Sequence, residues 1–308
     1  MIRFTMPRAG TPLEEKKRML KDQFDGFLRS DALGELLSLL ETDIERLPED
    51  YSGRKKVSGG IMETQDMRAM PELEPLRHKL YPLFDEMGAF RINSPVKDSN
   101  TSILIYGGAL GACFDRTGYG AQFVTAKTTS VDALTCYRPI NPVERKKSGS
   151  ASMADTEFGA LTEAFEKVFG LSSSGWDDSF HGDRNLNSIS CCRMHEQDST
   201  TTAYRIYAAP SSDPEIRRAD TGDCLSFYLK NTHPGEEESL LTITNNRYCN
   251  RQFIQTAYEL IVGGCDADFD IVGCHPDEKI IGVEKYDPMQ YLQDLIGVLD
   301  WIEKFRRL

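Results

Sequence analysis

Hydrophobic positions in the first part of the chain repeat at helical spacing up to about residue 90. Apolar residues recur every three or four positions through two stretches, Leu33–Leu47 and Leu73–Met87. An earlier helix is expected to begin at Thr11-Pro12, because threonine followed three positions later by Glu14 is typical of a capping box and proline suits the first helical turn. The pattern therefore predicts a helical N-terminal segment, residues 1–98, packed on the core.

After residue 100, short apolar runs alternate with stretches at helical spacing. Repeated strand-then-helix units favour parallel strands joined by right-handed crossovers. The expected fold class for residues 99–308 is α/β: a Rossmann-like, doubly wound, mostly parallel sheet with helices on both faces. Strands are predicted near 102–106, 131–136, 203–208, 239–244 and 269–274, with an extra strand within 188–195. Helices are predicted near 110–124, 156–169, 220–230, 249–262 and 288–305, and polar loops at 145–154 and 171–187.

Composition and charge narrow the class of protein. The chain has 308 residues, 40% of them hydrophobic, which is enough for a substantial core. Its 48 acidic and 36 basic residues give a formal net charge of -12, which disfavours nucleic acid and anionic membrane surfaces as partners. No apolar run approaches the roughly 18 residues that span a bilayer, and no signal-like segment opens the chain, so we expect a cytoplasmic protein.

Metal-binding and disulfide patterns are weak. The eight cysteines include no C-x-x-C pair, which in a cytoplasmic chain is typical of buried reduced thiols. The segments 181–183 and 274–275 each supply too few ligands at metal spacing. Asp266, Asp268 and Asp270 resemble the start of a calcium loop but lack its glycine and later ligands. We therefore expect no metal cofactor.

The junction after the first predicted strand is the first candidate site. Gly107 and Gly108 let the backbone approach a ligand, and with Ala109 they lead into a helix whose first free N–H groups can bind an anion. A dinucleotide fingerprint would need glycine at Tyr106 and an acidic residue after the second strand, where Arg138 stands. The junction therefore predicts an anion site without a dinucleotide fingerprint, while a tight turn with close helix packing explains the glycines equally well.

A second group of candidate residues follows the strand at 239–244. Ligands of parallel sheets bind at the carboxyl ends of the strands, and arginine and amide side chains there suit a phosphate or carboxylate. The group consists of Asn245, Asn246, Arg247 and Arg251. The alternative is that the asparagines cap a helix and the arginines pair with surface acids.

A third group follows the strand at 203–208. Arg218 and Thr221 offer a charge and a hydroxyl for the same anion, whereas Asp220 or Thr221 also suits a helix N-cap. For acid–base chemistry the available carboxylates include Glu144, Glu157 and two others, Asp115 and Asp223, although carboxylates on helix surfaces are ordinarily solvated. No G-x-S-x-G elbow is present, so the sequence identifies no nucleophile.

Four segments in order resemble the SanA/YdcF-like conserved domain, a family of largely unassigned function. They are Leu104–Gly108, Ala208–Asp223, Thr244–Gln252 and Asp270–Glu278. The resemblance covers roughly residues 100–300 and looks closest to a cytosolic actinobacterial-type branch with a helical N-terminal extension. It implies a Rossmann-like fold with a pocket at the strand carboxyl ends, and S-adenosylmethionine or a nucleotide-like molecule as ligand.

The resemblance also assigns individual positions. Gly107 and Gly108 match the first loop of the family, Thr221 the threonine of its middle motif, and Arg251 its late arginine. Where members of the family often carry histidine before that arginine, this chain has Tyr248. The middle motif of this chain also departs from the family pattern, with aspartate and cysteine where glutamate and asparagine are usual in the family. These departures argue against a shared histidine-dependent reaction.

Two hypotheses of different classes follow from the sequence. In the first, the chain binds a small anionic, nucleotide-like ligand at the strand carboxyl ends and acts on it as a transferase or hydrolase. In the second, it is a non-catalytic sensor or interaction protein whose helical N-terminal segment docks a partner or a second copy of the chain as a homodimer.

Overall fold

The computed structural model describes residues 2–51, 56–57, 60–61, 70–90, 94–148, 152–182, 185–195, 202–274 and 287–308. The chain forms two compact units. The helical unit comprises Met1–Asn93, Asn246–Tyr258 and Asp277–Leu308, and the sheet unit comprises Ser94–Asn245 and Glu259–Pro276. The sequence-based boundary near residue 98 stays a prediction. No helix in the described ranges is long and apolar enough to cross a membrane.

The helical unit is built around clustered aromatic side chains. Phe24 packs edge-on against Phe4 at 5.1 Å and against Phe305 at 5.0 Å between ring centroids, an arrangement that aromatic rings favour. Its elements are α1 (Leu13–Leu28), α2 (Asp31–Leu39), α3 (Leu47–Tyr51), the paired strands β1 (Lys56–Val57) and β2 (Gly60–Ile61), a 3-10 helix (Pro71–Leu76), α4 (Arg77–Glu86), a 3-10 turn (Asn246–Tyr248), the first part of α9 (Cys249–Val262) and α10 (Pro288–Arg306).

The starts of α1 and α10 differ in how well their sequences indicate the helix cap. The predicted capping box at Thr11 is wrong, because Pro12 is the N-cap of α1 and no side chain caps that helix. At α10 the side chain of Asp287 accepts a hydrogen bond from the Met289 N–H, and Pro288 occupies the first turn. The start of α10 therefore has the local form that its sequence indicates.

The sheet unit has the predicted α/β fold. Its seven strands run in the order β5-β6-β7-β4-β3-β8-β9. The neighbouring strands from β7 through β4, β3 and β8 to β9 pair in parallel, whereas β6 pairs antiparallel with both β5 and β7. The strands are β3 (Ser102–Tyr106), β4 (Ser130–Thr135), β5 (Trp176–His181), β6 (Ser190–His195), β7 (Ala203–Ala208), β8 (Ser239–Asn245) and β9 (Asp268–Cys274). The helices are α5 (Leu110–Ala121), α6 (Pro142–Ser148), α7 (Glu157–Phe169), α8 (Thr221–Thr232) and the end of α9.

Alternation along β4 shows why helices cover both faces of the sheet. Val131 and Ala133 are buried in the hydrophobic core with Phe158 of α7. Between them, Asp132 lies on the opposite face, where it pairs with Arg205 at 2.6 Å and interacts with Tyr228 of α8. Successive strand residues point to opposite faces, so the two environments follow from the period of the strand.

Both predicted polar loops contain regular structure. The loop predicted at 145–154 overlaps α6, and residues 149–151 lie outside the described residues. The loop predicted at 171–187 contains β5, which is mostly exposed at the edge of the sheet. Both predictions were wrong. As an edge strand with polar side chains, β5 lacks the apolar alternation by which strands are recognised, and α6 has too few apolar residues to show a helical pattern.

Candidate functional site

The glycine junction after β3 is filled by side chains of the chain itself. A Cβ atom at Gly107 would overlap the carboxylate of Glu157, and one at Gly108 would lie 3.2 Å from Nη1 of Arg116. Ala109 is the N-cap residue of α5 and makes no side-chain cap. Because glycine has no side chain, these two positions leave room for charged groups of this protein. This agrees with the alternative in which the glycines serve a tight turn and close helix packing.

Arg138 lies between two buried carboxylates. Its Nε donates to Glu157 at 2.9 Å and its Nη1 to Glu144 at 2.7 Å, while Thr135 Oγ1 donates to Glu157 at 2.8 Å. Burial alone would lower the pKa of Arg138, but the two carboxylates outweigh it and the pKa is raised. The expectation that helix carboxylates are solvated is wrong for both glutamates, because each is paired with this arginine.

The first amide of α5 already binds an anionic group. The Leu110 N–H donates to Oε2 of Glu144 at 3.2 Å. This is the position at which the sequence predicts an external phosphate or carboxylate, since free N–H groups at a helix start favour negative charge. In this structure a carboxylate of the same chain lies there.

Arg116 connects two of the predicted strand ends. Its Nε donates to Oδ1 of Asn245 at 2.7 Å, and its Nη1 donates to the carbonyl oxygens of Tyr106, at 2.8 Å, and Gly107. The structure thus brings Asn245 and the glycine junction together. Sequence reasoning missed Arg116, although it follows Cys113 by three positions and therefore lies on the buried side of α5.

The segment before α8 is organised as a helix cap. Asp220 accepts a hydrogen bond from the Asp223 N–H at 3.0 Å, and the Asp223 carboxylate accepts one from the Asp220 N–H, so the two form a capping box. The alternative that Asp220 is the N-cap is confirmed. Thr221 is the first residue of α8, and Arg218 is exposed. Their assignment as ligand-binding residues stays a prediction.

Asp223 holds that segment through several polar contacts. Its carboxylate pairs with Arg217 at 2.6 Å and accepts the Ser212 N–H at 3.1 Å. Burial tends to raise the pKa of Asp223, but the hydrogen bonds from Arg217 and the Asp220 backbone outweigh it and hold the pKa below its usual range. The carboxylate is thus held ionised as part of the cap.

Arg247 and Arg251, the arginine pair, lie in the helical unit. Each forms an ion pair with Asp294 of α10 at 3.3 Å. The ring of Tyr248 lies beneath both guanidinium groups, 4.4 Å from that of Arg247 and 5.0 Å from that of Arg251. Arg247 also donates to the Tyr248 hydroxyl and, at 3.4 Å, to Gln290. Both arginines therefore stack on one aromatic platform and use one carboxylate.

Two polar atoms of the ion pairs formed by Arg251 and Asp294 are buried without a hydrogen-bond partner among the described residues. They are Nε of Arg251 and Oδ2 of Asp294. Gly297 lies one turn further along α10, where a Cβ atom would come within 2.7 Å of the Arg251 side chain. Buried polar groups are normally satisfied by protein, water or a bound molecule, so these atoms can accept a water molecule or a ligand as partner.

Asn246 is the remaining member of the second group. Its Nδ2 donates to the Ala89 carbonyl at 3.3 Å, and its Oδ1 is buried without a hydrogen-bond donor in the described part of the chain.

Among the described residues, no cluster of three His, Cys, Asp or Glu side chains could hold a metal ion. Asp183 and His275, which belong to the two weak metal patterns, lie outside the described residues.

No protein-family model, no curated protein and no solved structure matches the chain. The SanA/YdcF-like resemblance and the hypothesis of partner docking through the N-terminal helices therefore stay predictions.

Proposed function

We propose that this protein binds a small anionic ligand through Arg251, with Arg247 beside it. The supporting observation is the buried Nε–H of Arg251, which lacks an acceptor among the described residues while its ion-pair carboxylate, Asp294, is shared with Arg247. A carboxylate or phosphate oxygen supplies the acceptor that this N–H lacks. Charge-assisted hydrogen bonds of this kind are shorter and stronger than those between neutral groups.

The surroundings of Arg251 favour binding over a purely structural ion pair. Its contact with Asp294 has the distance of an ion pair but no hydrogen bond. The side chain as a whole is 18% exposed, although its Nε is buried. Stacking on Tyr248 holds the planar guanidinium in one orientation, which reduces the entropy lost when a ligand binds. A ligand oxygen can therefore meet a preoriented donor.

The ligand class follows from this chemistry and from the sequence. Planar guanidinium groups suit the paired oxygens of carboxylate and phosphate. Nucleotides, sugar phosphates and S-adenosylmethionine, through its carboxylate, all carry such a group. The described residues of this cluster include no nucleophile with an adjacent base, so the proposal is one of binding, and a transferase or hydrolase reaction stays a hypothesis.

A thermal-shift panel tests the proposal. The wild-type protein, Arg251→Gln and a matched control, Arg306→Gln, are heated with inorganic phosphate, nucleotides, sugar phosphates or S-adenosylmethionine. Arg306 belongs to the same unit and forms a half-exposed pair with Asp25. A ligand that binds only the native state raises the Tm. We expect equal shifts for wild type and Arg306→Gln and a clearly smaller shift for Arg251→Gln; an equal shift in all three proteins contradicts the assignment.

A further inference from the structure

Four hydrogen-bond donors converge on the carboxylate of Glu144. Its Oε1 accepts from Arg138 Nη1 at 2.7 Å and from Asn141 Nδ2 at 2.8 Å. Its Oε2 accepts from Arg138 Nη2 at 3.2 Å and from the Leu110 N–H at 3.2 Å. Two donors on each oxygen, two of them from one guanidinium fork, are what a receptor for a free carboxylate would provide.

The helix that carries Glu144 is held by polar contacts. Among residues 142–146 of α6, whose side chains are described, only Glu144 is buried, and the apolar side chain of Val143 is 45% exposed. Arg145 adds hydrogen bonds to the carbonyl oxygens of Ser152, at 3.3 Å, and Ala154, at 2.6 Å. Because that part of the helix buries no apolar side chain, its detachment sacrifices little hydrophobic free energy.

The remaining groups of the cluster are able to stay in place without Glu144. Arg138 keeps its hydrogen bond to Glu157 and donates to the Gly108 carbonyl at 2.9 Å. Glu157 in turn keeps the hydrogen bond that the Thr135 hydroxyl donates to it. Arg138 and the Leu110 N–H are therefore held by contacts with β4, α5 and α7, whereas Asn141 is tied to the short helix α6, because its Oδ1 accepts the Glu144 N–H at 2.9 Å.

We infer that Arg138 and the Leu110 N–H form a carboxylate-binding site whose resident occupant is Glu144, and that a small external carboxylate binds there when Glu144 leaves. The site belongs to the sheet unit and is independent of the arginine pair. Exchange breaks no covalent bond: one carboxylate replaces another on the same donors, and Glu144 moves into solvent with α6.

Truncation of Glu144 provides a direct test, because Glu144→Ala deletes a fragment with the shape of acetate. Wild type, Glu144→Ala and an exposed control, Glu215→Ala, are unfolded in sodium acetate and in sodium chloride of equal ionic strength. At about ten times its Kd, acetate should raise the folding equilibrium constant of Glu144→Ala about tenfold over chloride. Wild type and the control should respond equally to both salts. Equal stability of Glu144→Ala in the two salts overturns the inference.

A second variant decides the matter if Glu144→Ala does not fold. Glu144→Gln keeps the shape of the side chain but loses its charge, so the side chain binds the donors of the site more weakly. Trypsin cleavage after Arg145 or Lys146 then reports how often α6 is detached. We expect acetate to accelerate this cleavage relative to chloride in Glu144→Gln, because acetate competes for the donors. Equal rates in the two salts overturn the inference.

Discussion

The Nε–H of Arg116 donates to Oδ1 of Asn245 at 2.7 Å, which ties the carboxyl end of β8 to the helix that follows β3. The arginine is 3% exposed, so its removal leaves buried acceptors unpaired. We predict that Arg116→Met lowers the free energy of unfolding by about 2–5 kcal/mol. Urea unfolding checks this, with exposed Arg18→Gln expected to change it by less than about 0.5 kcal/mol. Similar losses in the two variants would contradict the structural role of Arg116.

The two readings of the glycine junction predict different results for an added methyl group. If Gly107 makes room for Glu157, Gly107→Ala destabilises the protein by about 1–3 kcal/mol in the absence of any ligand. Gly118, within α5, has open space around its Cβ position, and Gly118→Ala should stabilise by about 0.5–1 kcal/mol. Thermal or urea unfolding of the pair measures the difference. An unchanged stability for Gly107→Ala would refute the close contact.

Asp178 on the edge strand β5 makes stability depend on pH. Hydrogen bonds from Arg193, at 2.6 Å to each oxygen, hold the pKa of Asp178 below its usual range. A lowered folded-state pKa stabilises the protein above the unfolded pKa, near about 3.9, and this stability is lost as pH falls through the folded value. The pair is partly exposed, so its contribution at pH 7 is at most about 1 kcal/mol.

The measurement compares wild type with Asp178→Asn from pH 7 down to pH 3. The difference in free energy of unfolding should be present at pH 7 and shrink below about pH 4 as Asp178 becomes protonated. Asp155→Asn is the control, because Asp155 is almost fully exposed. A difference for Asp178→Asn that stays constant through this range would exclude the pair as its cause.

Three cysteines are predicted to be chemically protected in the native state. Burial raises the pKa of Cys113 to about 12, and those of Cys136 and Cys191 to about 11. Because the thiolate is the reactive form, alkylation at pH 8 should be slower than in the unfolded chain by a factor of about 100 or more. Mass spectrometry after iodoacetamide treatment, native and in urea, measures the ratio. Native labelling at the unfolded rate would contradict this burial.

Elements set by local or periodic patterns could be predicted from the sequence. The apolar runs of β3 and β8 and the spacing of α9 indicate those elements, because burial imposes the strand and helix periods on each segment separately. The cap at Asp220 joins residues three positions apart and is equally local. Such features depend on neighbours that a sequence displays side by side.

The polar clusters depend on contacts that a sequence does not display. Arg116 and Asn245 are 129 positions apart, and Arg138 and Glu157 are 19 apart. Burial of Glu144 and Glu157 could not be inferred from helix patterns, because it requires an arginine from another element. In the arginine pair, the residues themselves could be selected from their place after a strand, but their shared partner Asp294 lies on α10 and gives no local signal.

In the proposed function, Arg251 makes the decisive contact to an anionic ligand. Its most direct test is isothermal titration of the anion that gives the largest thermal shift into wild type, Arg251→Gln and Arg306→Gln. Loss of a charged hydrogen bond costs about 1.5–3 kcal/mol, so Kd should rise about 10- to 150-fold in Arg251→Gln and stay unchanged in Arg306→Gln. An unchanged Kd in Arg251→Gln would contradict the claim.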